Sequence, residues 1–135
     1  MKHKWAHLPN AKHIDAVLAN VKTNPDKWDA ARDAAGGAAR GAAWDAAWDA
    51  ARGAARDAAW DAARGAAWDA ARGAARDAAR DAAWGAVSAL IAWDDAADVF
   101  LMPADAVKLL KECGDPRAIL MYPAVLAMTL EERTQ

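Results

Sequence analysis

A four-residue repeat in the middle of the chain carries the side chains best suited to hold a ligand. From residue 28 to residue 84, Trp or Arg occupies every fourth position except Gly36, as in WDAARGAARDAAW at residues 48–60. Indole faces stack on nucleobases, arginine forks hold phosphates, and carboxylates accept hydrogen bonds from ribose hydroxyls. The repeat therefore predicts a cleft for a nucleotide-derived small molecule.

A second cluster, Trp93-Asp94-Asp95, follows the repeat. Adjacent carboxylates within an apolar helix are costly unless they are paired or exposed. They would either anchor arginines of the repeat or face the ligand. The candidate ligand-binding residues are Trp44, Trp48, Arg52, Arg56, Trp60, Arg64, Trp68, Arg72, Trp93, Asp94 and Asp95.

Two plainer interpretations of the repeat stay open. Asp and Arg three residues apart, as in Asp29 and Arg32, form solvated helix pairs in many proteins. The Trp side chains could simply fill the space that alanine leaves. However, Trp and Arg share one position of the repeat, so a helix face cannot bury every Trp and expose every Arg. Some arginines should be half-buried against indole rings or should line a cleft.

No residue pattern indicates catalysis. The chain has no Ser–His–Asp order, no glycine-rich phosphate loop and no GxSxG element. His3, His7 and His13 lack the Cys or Glu framework of a zinc site, and surface or capping roles are expected for them. Cys113 has no evident base partner and is predicted to be a core residue. We therefore expect a binding protein with no cofactor and no metal.

The elements that position these residues are helices. Alanine dominates the composition and strand-like alternation is absent, so the predicted fold is an all-α, compact multi-helix bundle. The 135 residues fit a single helical domain of three segments. Residues 1–27 would form a first helix and a turn, 28–87 the alanine-rich repeat, and 88–135 a more conventional helical cap that carries most of the branched aliphatic side chains.

The period of the repeat predicts several helices rather than one rod. Four residues overshoot a helical turn by about 40°, so a single helix would scatter its Trp residues around its whole circumference. Pieces of about four repeats keep them on one face. The paired Gly36-Gly37 is the best candidate for a break. The other glycines are either helix ends or points where two helices approach closely.

The flanking segments contain helix boundary signals. Asn10 is a candidate N-cap for a helix over about 10–22, and Pro25 should begin the next helix. Apolar residues at helical spacing should line the buried face of the first helix: Ile14, Val17, Leu18 and Val21. After the repeat, SALIAWDDAADVFLM should continue the last repeat helix. Further boundaries are expected at Pro103, Gly114 and Pro116, with a kink or split at Pro123.

Composition narrows the class of protein. The net charge is −2 with interspersed signs, which argues against nucleic acid as a partner. No secretory signal or membrane span is evident, and a single cysteine suits a reducing compartment, so a soluble cytoplasmic protein is expected. Alanine faces bury little apolar area each, which favours a homo-oligomer.

Two resemblances concern function. The run AARDAAWDAARGAAW resembles alanine-rich helical proteins of the Imm5-like immunity group. The segments LPNAKHIDAVLANVKTNPDKW, ALIAWDDAADVFLM and GDPRAILMYPAVLAM look like parts of small uncharacterised proteins of tailed phages. Proteins of that kind often act against host defence, some by sequestering nucleotide second messengers without cleaving them.

These observations lead to one hypothesis and two rivals. The chain would be a phage anti-defence protein of the host cytoplasm that sequesters an ADP-ribose derivative or a cyclic dinucleotide in a Trp/Arg-lined pocket. Alternatively, it would be an immunity or anti-defence protein that docks on a host defence protein, since Trp and Arg are common interface anchors. The second rival is a structural helical assembly protein.

Overall fold

The computed structural model describes residues 8–35, 42–55 and 77–134. These residues form eight helices and no strand, which confirms the all-α helical bundle. The helices are α1 (Ala11–Thr23), α2 (Pro25–Ala35), α3 (Ala42–Ala55), α4 (Asp77–Ala92), α5 (Ala96–Phe100), α6 (Ala104–Glu112), α7 (Pro116–Ala127) and α8 (Leu130–Thr134). Within these ranges, no helix has the length and apolarity needed to cross a membrane.

The first segment folds as its boundary signals predict. Helix α1 begins after Asn10 and buries the four predicted apolar residues, and Pro25 is the first residue of α2. Trp28, the first Trp of the repeat, is completely buried and donates its indole N–H to Asn20 Oδ1 at 2.9 Å. The backbone around Asn10 has the predicted N-cap position, but its side chain makes no cap hydrogen bond to α1.

The repeat forms separate helices, as its period predicts. Helices α2, α3 and α4 each contain repeat sequence, and both α2 and α3 pack against α4 and against α7. The described part of α2 ends at Ala35, directly before the predicted break at Gly36-Gly37, which lies outside the described residues. Alanines on the inner faces of these helices are buried, so the repeat helices approach one another closely.

Helix α7, which belongs to the more conventional last segment, lies at the centre of the described helices. It packs against α2, α3, α4, α5 and α6, and its residues from Ala118 to Val125 are all buried. A helix that is apolar all round belongs in the interior. The bulky residues of α7 therefore supply the core on which the alanine-rich helices pack. Pro123 sits inside α7 without dividing it into two helices.

A close approach between α3 and α4 depends on a glycine. The buried Trp44 of α3 lies against Gly85 of α4. A Cβ added at Gly85 would clash with Cη2 of that indole and would stand 2.8 Å from its Cζ2. The repeat glycines are predicted either to end helices or to allow two helices to approach closely. Gly85 has the second role, because it makes room for an aromatic ring and does not end a helix.

Two adjacent side chains of the C-terminal helix α8, Glu132 and Arg133, bind it to other parts of the bundle. Glu132 accepts a hydrogen bond from Asn20 of α1 at 3.0 Å and another from the backbone N–H of Thr129 at 2.9 Å. The bond from Thr129 is the main reason why the pKa of Glu132 is lowered. Arg133 is buried and donates to the carbonyls of Phe100 at 2.6 Å and Met102 at 2.7 Å. Burial lowers the pKa of Arg133. The chain end is thereby attached to α1 and to the end of α5.

Helix α6 ends in a Schellman motif, as the glycine after it predicts. The N–H of Asp115 donates to Leu110 O at 3.1 Å, and the N–H of Gly114 donates to Lys111 O at 3.0 Å. Gly114 has φ +84, a left-handed conformation that strains any residue with a Cβ. Cys113 is exposed at this helix end, which corrects its prediction as a core residue.

We expect Gly114→Ala to lower the free energy of unfolding by about 1–2 kcal/mol, the cost of left-handed backbone for an L-residue. Urea denaturation measures it. Gly53→Ala is the matched control, because Gly53 lies inside α3 and an added Cβ there meets nothing within 4 Å. Alanine at residue 53 should raise stability by up to about 1 kcal/mol. Equal effects of the two variants would contradict the role assigned to Gly114.

Candidate functional site

An open cleft lies between the end of α4 and the start of α7. Its volume is about 390 Å³, and its walls are Trp93, Asp95, Asp115, Pro116 and Arg117. Trp93 and Asp95 belong to the turn that joins α4 to α5, and the other three residues begin α7. An aromatic ring, a guanidinium and two carboxylates thus face one space.

The start of α7 shapes one wall of this cleft. Asp115 is the N-cap and accepts a hydrogen bond from the backbone N–H of Arg117 at 2.9 Å, while Pro116 takes the first helical position. The Arg117 side chain folds back so that its Nε and Nη2 donate to Asp115 at 3.1 and 2.7 Å. Its remaining nitrogen, Nη1, lies 2.9 Å from Asp95 Oδ2. Arg117 therefore links α7 to the turn across the cleft.

The cleft carries an excess of negative charge. The hydrogen bond from Arg117 lowers the pKa of Asp115, and the same bond is the first cause of the raised pKa of Arg117, to which Asp95 adds. Among the described residues that line the cleft, two carboxylates accompany one guanidinium. The side chain of Asp95 is 61% exposed, and within the described residues its Oδ1 makes no hydrogen bond. One carboxylate oxygen of the cleft is thus available to a ligand.

A buried asparagine holds the turn that forms the other wall. The Asn10 side chain is 3% exposed, and its Nδ2 donates to the carbonyls of Leu90 at 2.9 Å, Trp93 at 3.1 Å and Asp94 at 3.2 Å. The last carbonyls of a helix have no partner within that helix. Asn10 satisfies the Leu90 carbonyl in the last turn of α4 and contacts two carbonyls of the turn that follows, so the predicted N-cap of α1 serves the end of a different helix.

The turn also corrects the prediction that one helix continues through Trp93-Asp94-Asp95. These residues do not interrupt a continuing helix, because α4 ends at Ala92 and a separate helix begins at Ala96. Asp94 and Asp95 are exposed, so no burial cost arises. Asp95 pairs with Arg117 from the C-terminal segment, whereas most arginines of the repeat, which it could also anchor, lie outside the described residues. Of the three, Trp93 and Asp95 line the cleft and Asp94 does not.

The described Trp and Arg candidates of the repeat do not line this cleft. Trp44 is buried against Gly85, and Arg52 is exposed on α3. Trp48 is half-buried, and its ring meets that of Trp84 edge to face at a centroid distance of 5.3 Å. The candidates Arg56, Trp60, Arg64, Trp68 and Arg72 lie outside the described residues.

Arg32 has the half-buried environment that the shared Trp/Arg position predicts. Its side chain is 22% exposed, and its Nη2 lies 3.4 Å from Asp81 Oδ2 on α4. Its Nε is buried with no hydrogen-bond partner among the described residues. Since Arg52 is exposed while Arg32 is half-buried, the repeat arginines differ in environment.

Asp115, Pro116 and Arg117 are the wall residues that sequence reasoning missed. Gly114 and Pro116 mark a helix boundary, and that was their only predicted role. The motif Asp-Pro-Arg nevertheless contained a signal. An Asp at an N-cap followed by Pro places the residue after Pro near the cap carboxylate, so a cation there will pair with it. The contact of Arg117 with Asp95 cannot be predicted from the sequence, because it depends on how α4 and α7 pack.

Within residues 8–35, 42–55 and 77–134, no group of three or more His, Cys, Asp or Glu side chains could hold a metal ion. His13 is half-buried, with its ring edge to face against Phe100, and burial lowers its pKa.

No family model, no curated protein and no solved structure matches the chain. What the cleft binds therefore has to be inferred from its own residues.

Proposed function

We propose that the protein binds and sequesters a nucleotide-derived small molecule, and that the Trp93 cleft holds the nucleoside end of this ligand. The observation that carries the proposal is the Trp93 side chain beside the exposed Asp95 carboxylate in one open cleft. A volume of about 390 Å³ falls within the range of small-molecule sites. The indole would stack on a planar ring, and Asp95 would accept hydrogen bonds from ribose hydroxyls or base amines.

The charges of the cleft favour the nucleoside end over the phosphates. All three nitrogens of Arg117 already contact carboxylates. A phosphate could reach only the N–H groups that these contacts leave over, on a guanidinium whose charge two carboxylates already balance. It would also meet the uncompensated charge of Asp95. The phosphates of a bound nucleotide should therefore point away from this cleft.

Binding by itself would give the protein a biological role. A protein that retains an ADP-ribose derivative or a cyclic dinucleotide withholds it from the effector that the molecule activates. This is the anti-defence role that the resemblance to phage proteins implies, and it requires no catalytic residue. The ligand should then be recovered intact after the protein is denatured, whereas recovery of a hydrolysed product would indicate an enzyme.

A panel of adenosine, ADP-ribose and cyclic dinucleotides tests the proposal by thermal denaturation. At about 100-fold above its Kd, a ligand should add about 2.7 kcal/mol to stability and raise the Tm by roughly 10 °C. Trp93→Ala should weaken binding by roughly 5- to 150-fold, since it removes a stacking contact of about 1–3 kcal/mol.

Asp33→Asn is the matched control, because Asp33 is exposed on α2 and does not line the cleft. It should leave the affinity unchanged. The proposal would be wrong if no member of the panel raised the Tm, or if Trp93→Ala bound every member as tightly as the parent.

Docking on a host defence protein is the second candidate function. It is favoured by three large apolar side chains that are exposed in the described part of the chain, namely Leu109 (64%), Leu126 (36%) and Leu130 (43%). Under this alternative, Leu109→Asp would abolish association with the partner. Under the nucleotide proposal, the same variant would bind its ligand like the parent.

Self-association through alanine-rich faces stays a prediction, which light scattering tests.

A further inference from the structure

We propose that the Trp93 cleft selects a positively charged planar ring, so that the preferred ligand is a nucleotide derivative whose nucleoside end carries a cation. This inference rests on the proposed function and narrows it to one class of ligand. It follows from three features of the cleft, which are its charge, the engagement of Arg117 and the nature of its apolar wall.

The first feature is the imbalance of charge. Among the described residues that line the cleft, Asp95 and Asp115 stand against Arg117 alone, so a neutral ligand leaves one of these carboxylate charges uncompensated. The charge of Asp115 is fully engaged, because both of its oxygens accept from Arg117. The available charge is that of Asp95, which is 61% exposed and uses only Oδ2 in its contact with Arg117.

The second feature is that two carboxylates already balance the charge of the guanidinium. Arg117 contacts Asp115 through Nε and Nη2, and Asp95 through Nη1. An incoming anion would compete with two carboxylates that are already in place. The cleft thus disfavours phosphate and carboxylate groups although an arginine lines it.

The third feature is the indole. Trp93 is half-buried and lines the same cleft as Asp95. A cation over an indole face is attracted by the negative face of the ring, and Trp is the strongest of the aromatic side chains in this respect. A planar cationic ring gains from both walls, because it stacks on Trp93 and places its charge near Asp95. A neutral ring gains only the stacking.

Nicotinamide and N-methylnicotinamide, here the cation with its methyl group on the ring nitrogen, form a probe pair that differs by one methyl group and one positive charge. Titration followed by NMR should give an affinity roughly 3- to 30-fold higher for the cation, the sum of a cation–π contact and an exposed ion pair. Raising the salt to about 0.5 M should reduce this ratio, because the ion pair is exposed. Asp95→Asn keeps an oxygen for Arg117 and removes the charge, so it should reduce the ratio to the roughly 2- to 5-fold that the cation–π contact with Trp93 contributes by itself. Asp33→Asn should leave the ratio unchanged.

Adenosine and nicotinamide riboside separate this inference from the proposed function. Both ideas hold if the cationic riboside binds more tightly than adenosine and more tightly than N-methylnicotinamide. Equal binding of the two ribosides would overturn the charge selection and keep the proposed function. Binding of N-methylnicotinamide with no gain from the ribose would keep the charge selection and overturn the nucleoside proposal. An Asp95→Asn ratio equal to that of the parent would overturn the role of Asp95.

Discussion

Trp44→Ala should lower the free energy of unfolding by about 3–5 kcal/mol, the cost of emptying a buried indole site in a close-packed core. Trp44 is only 6% exposed and lies where α3 meets α4. Denaturant unfolding of the variant measures the loss. A loss below about 1 kcal/mol would mean that the ring contributes little to the packing of α3.

The same contact can be tested from the side of α4. Gly85→Ala would place a Cβ against the Trp44 ring and 3.4 Å from Leu120 O, so overpacking should cost about 1–3 kcal/mol. In a Trp44→Leu background the clash disappears, and Gly85→Ala should then cost far less. The expected coupling energy is about 0.5–3 kcal/mol. Simple additivity of the two changes would contradict the contact.

The second large effect concerns Asn10. We expect Asn10→Ala to lower the free energy of unfolding by about 2–3 kcal/mol, because the buried Leu90 carbonyl loses its donor and the turn loses two further contacts. Asn10→Asp should cost more, since a carboxylate would face three carbonyl oxygens. Both variants should also weaken binding in the Trp93 cleft, because the turn that carries Trp93 and Asp95 loses its support.

Asn24→Ala is the control for this prediction. Asn24 is half-buried at the end of α1, and its side chain makes no hydrogen bond within the described part of the chain. Its replacement should change stability by less than about 0.5 kcal/mol. If Asn10→Ala were equally mild, the three carbonyl contacts would not be what holds the turn in place.

Local signals in the sequence predict much of the fold. The spacing of Ile14, Val17, Leu18 and Val21 identifies the buried face of α1, and Pro25 and Gly114 mark helix boundaries. The drift of the Trp/Arg position requires several helices, and α2, α3 and α4 are separate. Each of these inferences depends on residues within one or two helical turns, which is the range over which propensity and periodicity operate.

What the sequence does not predict depends on contacts between distant segments. Asn10 occupies the N-cap position of α1, yet its side chain is used 80 residues away at the Leu90 carbonyl. Arg117 pairs with the Asp95 carboxylate because α4 and α7 meet there. The position of α7 at the centre of the bundle is also a tertiary property, since a continuous apolar helix fits a cap or a core equally well in sequence. Of the five residues that line the cleft, Trp93 and Asp95 were therefore predictable. The wall that contains Arg117 was not.

The central claim is that a nucleotide-derived ligand contacts Trp93, and fluorine NMR of protein labelled with 5-fluorotryptophan tests it most directly. The chain has eight Trp residues, so its total fluorescence cannot single out one of them. Trp93→Phe identifies the resonance of Trp93 by its disappearance. Titration with nicotinamide riboside should shift that resonance in a saturable manner and leave that of the buried Trp28 unchanged. A Trp93 resonance that stays in place at saturating ligand, while another Trp resonance moves, would contradict the assignment of the site.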